Sequence, residues 1–223
     1  MFPIYICWDK HVTEAEIKAI RKAIEDIQAI FGCSVYCYGN SKWLMGQYKS
    51  ADEILAAVPK RSNGRVDGTK TMELMIKTSR EWFEPGVFML FTGKELAMDG
   101  MEWCFGCART GKRVAVESTA WYRHLPKGQM YACIARTLRH EIGHTFRCAA
   151  DLKRPNTVDN HGPHCTNKGC TMRQTGTMKD LLAAIKEENP NHYFCHQCMN
   201  DIRTFKKAQE ASNVVRIRGR RGA

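Results

Sequence analysis

The chain has 223 residues and a formal net charge of +11, and 43% of its residues are hydrophobic and 26% charged. No repeat or low-complexity tract interrupts the sequence, so we expect a globular protein with a packed core. Its longest apolar runs fall far short of the roughly 20 residues of a membrane-spanning helix, which excludes a membrane protein of that kind.

The chain opens with an apolar stretch that Asp9 cuts short, and no basic leader precedes it. This pattern is poor for a signal peptide and better for a first strand. Eleven cysteines follow along the chain. An odd number of cysteines without a signal peptide favours metal sites in a reducing compartment over a disulfide scaffold. We therefore expect a cytoplasmic protein, acting as a monomer.

The first forty residues predict a strand, a helix and a second strand. Residues 2–8 have strand character, and Thr13 with Glu16 forms the capping-box pattern that begins a helix. One apolar stripe with helical spacing follows, made of Ile17, Ile20, Ile24, Ile27 and Phe31. Gly32 ends this helix before a strand at 33–38. Such a unit favours a parallel strand pair joined by a right-handed crossover.

Mixed elements lead to one long helix. Ser50 and Glu53 repeat the capping pattern before a short helix that Pro59 ends. We then predict, in order, a loop at 60–68, a helix at 71–83, a buried strand at 87–91 and a strand pair near 101–107 and 113–119. After Pro126 a long helix has apolar residues at every fourth position: Met130, Ile134, Leu138 and Ile142.

The character of the chain changes after Phe146. Residues 148–176 are rich in Cys, His, Asn, Gly, Thr and Pro, and a loop of that length in a compact domain is usually functional. Two further helices are predicted near 177–188 and 199–211.

The long helix ends in the sequence His140-Glu141-Ile142-Gly143-His144. Four residues nearly complete a helical turn, so both imidazoles project from one face about 6 Å apart and can share one zinc ion. Glu141 lies beside that face, where its carboxylate can accept a proton from a zinc-bound water. The motif predicts a catalytic zinc; the alternative is a pair of surface histidines on an amphipathic helix.

This motif and the segments after it resemble the archaemetzincins. The segments are His164-Cys165, Cys170-Thr171-Met172 and Cys195-x-x-Cys198, with four residues between the first two cysteines, as in that family. The resemblance covers about residues 85–200. It implies a metzincin-like α/β (α+β) fold with a mixed twisted sheet, zinc-dependent hydrolysis of peptides or proteins with Glu141 as general base, and a Met-turn at Met172.

The third zinc ligand is separated from His144 by an unusual stretch of sequence. Metzincins place a third histidine about six residues after the second, but Ala150 stands there, and residues 148–163 resemble an insertion. The resemblance implies His164 as the third ligand, because it directly precedes the first cysteine of the next motif. His161 and Asp151 are the alternatives.

A second, structural zinc is predicted at four cysteines: Cys165, Cys170, Cys195 and Cys198. Closed four-thiolate sites are structural, and this one would attach the irregular loop to the C-terminal region and position His164. Cys104 and Cys107 form another C-x-x-C that could pair with Cys195 and Cys198, although buried free thiols are the favoured interpretation. We thus expect two zinc ions per chain.

The expected organisation has three parts. Residues 1–146 carry the sheet and the active-site helix, 147–212 form an irregular subdomain held by zinc, and 213–223 are a basic tail expected to be disordered. By analogy with metzincins, residues 113–119 would be an edge strand to which a peptide substrate adds. The alternative function is a non-catalytic zinc-binding module that contacts nucleic acid through the tail. A nucleic-acid partner is not expected, because no groove-reading motif accompanies that tail.

Overall fold

The computed structural model describes residues 2–40, 48–81 and 86–220. In chain order its strands are β1 (Ile4–Trp8), β2 (Val35–Gly39), β3 (Val66–Asp67), β4 (Val87–Thr92), β5 (Leu96–Met98), β6 (Met101–Cys104), β7 (Gly106–Ala108), β8 (Val114–Ser118), β9 (Thr157–Asp159) and β10 (Pro163–Cys165). Its helices are α1 (Glu14–Phe31), α2 (Ala51–Ala56), α3 (Gly68–Glu81), α4 (Lys127–Thr145), α5 (Met178–Glu187) and α6 (His196–Arg220).

A mixed sheet of five strands organises the fold, in the order β2-β1-β4-β8-β7. The first four strands are parallel, and β7 runs antiparallel to β8. The predicted parallel pair β1–β2 joined by a helix is confirmed. The mixed α/β class is confirmed as well.

The prediction that residues 113–119 form an edge strand was wrong. Strand β8, which occupies most of residues 113–119, lies between β4 and β7 inside the sheet. All five of its residues are buried, as suits an interior strand. Residues 106–108 fold back to pair with β8 and take the edge position. Residues 101–104 leave this sheet and pair with β5 in a small sheet of three strands, β3-β5-β6.

The two faces of the central sheet support two hydrophobic clusters, because side chains alternate along each strand. Ile6, Met89 and Ala115 belong to the cluster that contains the buried faces of α1 and α4. Leu90 and Val116 belong to the cluster that contains buried residues of α2 and α3. Helix α4 is thereby held against one face, close to the carboxyl-terminal region of the chain.

The local signals at helix ends agree with the structure. Thr13 and Glu16 form the capping box of α1, and Gly32 ends it with φ of +56°. Thr177 caps α5, which occupies the predicted region. Helix α3 begins three residues before the predicted 71, and positions 82 and 83 lie outside the described residues.

The last helix is longer than its periodicity indicates. We predicted a helix over 199–211 and a disordered tail from 213, whereas the backbone of α6 continues to Arg220. No proline interrupts this stretch, so nothing in its sequence stops the helix. Residues 221–223 lie outside the described part of the chain. Within the described residues, no helix is long and apolar enough to span a bilayer.

Candidate metal centres

The last turns of α4 place His140, Glu141 and His144 against the region that follows the helix. Both His144 and Glu141 are 5% exposed, and the helix ends at Thr145. His164 comes from β10, which pairs with β9 as a short antiparallel hairpin. His164, which follows residues 148–163 in sequence, thus lies close to the helix that carries the other two histidines.

The three histidines offer ring nitrogens that all lie within 4.8 Å of one another. The Nε2 atoms of His140 and His144 are 3.1 Å apart. Two nitrogen ligands of a tetrahedral zinc, each at about 2.05 Å from the ion, lie about 3.3 Å apart. The observed spacing is therefore that of two ligands around one small divalent cation.

Two hydrogen bonds orient these rings. Nδ1 of His140 lies 2.8 Å from the carbonyl oxygen of Thr171, and Nδ1 of His164 lies 2.8 Å from that of Gly162. A carbonyl oxygen only accepts, so both Nδ1 atoms carry hydrogen and both Nε2 lone pairs are free for a metal. Nδ1 of His144 is buried and has no hydrogen-bond partner among the described residues.

Burial keeps these imidazoles neutral. It lowers the pKa of His140 well below the usual value, with further lowering by the neighbouring histidines. Burial, and next the proximity of His164, lower the pKa of His144 to about 3, and burial also lowers that of His164. Neutral imidazole is the form that binds a metal ion, so the cluster can bind one without first losing protons.

The competing third ligands lie outside the cluster. His161 precedes His164 by three residues, adopts φ of +55° and is exposed at the rim of the cleft. Asp151 is exposed, and its carboxylate accepts from the backbone N–H of Lys153 at 3.0 Å. Among the described residues only His164 joins His140 and His144 in a group of metal-ligand atoms.

Glu141 packs against the edge strand. A Cβ atom placed on Gly106 would lie 2.7 Å from Oε1 of Glu141, so only glycine leaves room for this carboxylate. Burial raises the pKa of Glu141 to about 8. Sequence reasoning did not single out Gly106 for this contact, since the contact depends on the position of β7 relative to α4.

Met172 lies beneath the same turn of α4. Its side chain is fully buried, and a Cβ atom on Gly143 would overlap its sulfur. The helix and the segment after Cys170 therefore approach at Gly143 as closely as glycine allows.

The four cysteines form a second group, with sulfur atoms that all lie within 4.8 Å of one another. Sγ of Cys165 and Sγ of Cys195 are 3.8 Å apart. A disulfide would require about 2.05 Å, whereas two thiolates on a tetrahedral zinc, each at about 2.3 Å, lie about 3.8 Å apart. The arrangement is thus that of a four-thiolate metal site.

Hydrogen bonds within the cluster lower the pKa of two of its thiols, Cys165 and Cys195, and raise that of the other two, Cys170 and Cys198. The bond with Cys170 lowers the pKa of the Cys165 thiol to about 7, and bonds led by that with Cys165 lower the pKa of Cys195. Backbone N–H groups of Asn167 and Cys195 also donate to Sγ of Cys165 and Cys170 at 3.5 and 3.4 Å. The rival C-x-x-C, Cys104 and Cys107, is buried near Glu141 and stands apart from this group.

A buried polar network joins the two groups. The hydroxyl of Thr171 donates to Oε1 of Glu188 at 2.7 Å. Glu188 in turn pairs with Arg136 at 3.1 Å and with Arg139 at 2.7 Å, and all three side chains are no more than 5% exposed. Sequence reasoning missed these residues, because Arg136 and Arg139 lie off the apolar stripe of α4 and their burial depends on the elements that pack against the helix.

One further carboxyl group lies close to the cleft. Glu117 of β8 pairs with Gly106 in the sheet register and is fully buried. Neither of its carboxyl oxygens has a hydrogen-bond partner among the described residues. Burial, and next the charge of Glu141, raise its pKa well above the usual value. Burial thus favours the neutral, protonated form of the Glu117 carboxyl group.

Comparison with known proteins agrees with this geometry. No family model matches the chain. A curated relative, archaemetzincin from Methanopyrus kandleri, is 26% identical over 145 residues, covering 64% of this chain and 71% of that protein. The crystal structure of archaemetzincin from the same organism superimposes with a TM-score of 0.65 at 18% identity, covering 92% of this chain and 96% of the other.

The chain is thus similar to archaemetzincins in sequence and in fold. Its fold is shared with two further structures. One is a zinc-dependent peptidase from Methanocorpusculum labreanum, with a TM-score of 0.59 at 17% identity over 89% of this chain and 99% of that one. The other is an archaemetzincin from Archaeoglobus fulgidus complexed with malonate, with a TM-score of 0.55 at 20% identity over 90% and 100% of the chains. The family resemblance inferred from the motifs is confirmed.

Proposed function

We propose that this protein is a zinc-dependent metallopeptidase. The observation that carries the proposal is the convergence of His140, His144 and His164, with nitrogens within 4.8 Å of one another, beside the buried carboxyl group of Glu141. The family relationship supports it, and the structural relative from Methanocorpusculum labreanum is described as a zinc-dependent peptidase.

The two groups of ligand atoms support a proposal of two zinc ions per chain. Three neutral imidazoles leave one position of a tetrahedral site open for water or substrate, which is the arrangement of catalytic zinc. Four thiolates close a site completely, which is the arrangement of structural zinc. We assign the catalytic role to the histidines and the structural role to Cys165, Cys170, Cys195 and Cys198.

Glu141 is proposed as the general base. Zinc, when bound, supplies a Lewis acid that lowers the pKa of a water molecule towards about 7. The carboxylate of Glu141 takes a proton from the attacking water and returns it to the leaving amine.

The edge strand supplies a reason to expect a peptide as substrate. Strand β7 (Gly106–Ala108) ends the described sheet and contacts Glu141 through Gly106. An extended peptide that adds to a free strand edge gains backbone hydrogen bonds and is held beside the carboxylate. We therefore assign to β7 the substrate-binding role that the sequence analysis gave to residues 113–119.

Met172 is proposed as the Met-turn, an apolar base below the histidines.

The test is Glu141→Gln, which removes the base and keeps the shape of the side chain. We expect both zinc ions to remain bound and hydrolysis of a peptide library to fall by at least about 100-fold. Glu14→Gln, at an exposed position of α1, is the control and should hydrolyse normally. A wild-type protein that binds zinc but cleaves no peptide in the library would instead support the non-catalytic zinc-binding module.

A further inference from the structure

A second cavity, of about 360 Å³, lies beside the metal cleft. It is lined by Arg65, Trp103, Phe105, Trp121, His124 and Met178. Its volume falls in the range of about 300–1,000 Å³ that is usual for binding pockets. We infer that this aromatic pocket receives a neutral aromatic side chain of the substrate, close to the bond that is cleaved. The inference rests on the proposed peptidase function.

The aromatic pocket borders the metal cleft. Trp103 and Phe105 line both cavities. Phe105 also directly precedes Gly106, the residue against which Glu141 packs. A peptide lying along β7 therefore passes the mouth of the aromatic pocket within a residue or two of the position where the carboxylate acts.

The walls suit an aromatic guest. The rings of Trp103 and Phe105 meet nearly at right angles, at 79° and 5.1 Å, and Trp103 and Trp121 are tilted at 54° and 5.3 Å. Three aromatic rings that contact one another thus line the cavity, and aromatic rings prefer edge-to-face and offset contacts. The half-buried thioether of Met178 adds a polarisable contact at the rim.

The walls are also held in place before any ligand arrives. Nε1 of Trp121 donates to the carbonyl oxygen of Cys104 at 3.1 Å. Nη1 of Arg65 donates to the carbonyl oxygen of Glu102 at 3.0 Å, on the same strand β6. Because these side chains are already ordered, little conformational entropy is lost when a guest binds.

Charge argues against an ionised guest. The guanidinium of Arg65 lies 5.7 Å from the ring centre of Trp121, so a cationic side chain would meet a like charge at that ring. The same guanidinium already pairs with Glu95 at 2.8 Å, so an incoming carboxylate would compete with that of Glu95. A neutral aromatic side chain is the class that the aromatic pocket can bury without leaving a charge unpaired.

The first test compares two peptide sets that are identical except for Phe or Ala at each position flanking the cleaved bond. The wild-type protein should prefer Phe at one position by at least about tenfold in kcat/KM. Trp121→Ala should bring that ratio close to one. Tyr36→Ala, which removes an exposed aromatic side chain from β2, should leave the ratio unchanged. If Trp121→Ala does not fold, Met178→Trp fills the aromatic pocket from its rim and should lower the same ratio.

The second test does not depend on hydrolysis. In zinc-loaded Glu141→Gln protein, the indole N–H resonance of Trp121, identified by its absence in Trp121→Phe, should shift on titration with a Phe peptide and not with its Ala counterpart. If wild type cleaves no peptide while this shift occurs, the proposed function fails and the aromatic pocket stands. Equal binding of both peptides, or an unchanged kcat/KM ratio in the folded pocket variants, overturns the inference.

Discussion

Nδ1 of His140 donates to the carbonyl oxygen of Thr171, 2.8 Å away. Thr171 stands between Cys170 of the cysteine group and the buried Met172. Its own N–H donates to the carbonyl oxygen of Tyr193 at 2.7 Å, two residues before Cys195. One residue thus connects the histidine group with both halves of the cysteine group, so order in one group is expected to support the other.

Thr171→Val should weaken metal binding at the histidines. The change keeps the carbonyl group that orients His140 but removes the hydroxyl that bonds to Glu188. Loss of partners that orient a metal ligand typically costs about 10–100-fold in metal affinity, and we expect the lower end. Competition with a chelator measures the affinity. Thr78→Val, at a buried threonine of α3 far from both groups in sequence, is the control. Equal losses in both variants would show that Thr171 acts only through general stability.

Gly106→Ala should abolish most hydrolysis without removing metal. The new Cβ atom would lie 2.7 Å from Oε1 of Glu141 and must displace the carboxylate or the strand. We expect a loss of at least about tenfold in kcat/KM, because misplacement of a reacting group by about 1 Å can cost 100-fold. Gly128→Ala on α4 is the matched control, since nothing lies within 4 Å of its added Cβ. Activity of Gly106→Ala equal to that of the control would contradict this geometry.

Metal stoichiometry separates the two groups. Wild type should bind two zinc ions, and Cys198→Ser and His164→Ala should each lose one of them. His161→Ala should keep both, because His161 lies outside the histidine group. Atomic absorption on dialysed protein provides the count. Loss of a zinc ion in His161→Ala, with retention in His164→Ala, would reverse the assignment of the third ligand.

Glu117→Gln should stabilise the protein at alkaline pH. An acid whose folded-state pKa is raised holds its proton in the folded state, so its stability contribution is full below about pH 4.5 and is lost as pH rises towards the folded pKa. Glutamine does not titrate. The free energy of unfolding of the variant should therefore exceed that of wild type at pH 8, with a smaller difference at pH 5. Urea unfolding at both pH values measures this, and a difference that shrinks with rising pH would refute it.

The short-range features of this protein could be predicted from sequence. The capping box of α1, the cap of α5 and the pairing of His140 with His144 depend on residues three or four apart, and helical geometry sets such distances by itself. The cysteine spacings indicated a metal site for the same reason: two of its pairs are close in the chain. The edge strand was predicted wrongly, because it depends on whether 101–107 continues as one strand or divides between two sheets.

The sequence by itself determined that a helix would carry His140 and His144 on one face with Glu141 beside it, and that four cysteines could hold a second metal. Only the tertiary structure decided that His164 joins them, that Gly106 borders Glu141 and that Glu188 supports Thr171. The physical reason is that these contacts join residues that lie about 17 to 35 positions apart in sequence. Packing of α4 against the sheet and the hairpin of β9 and β10 sets such distances, and no local spacing encodes them.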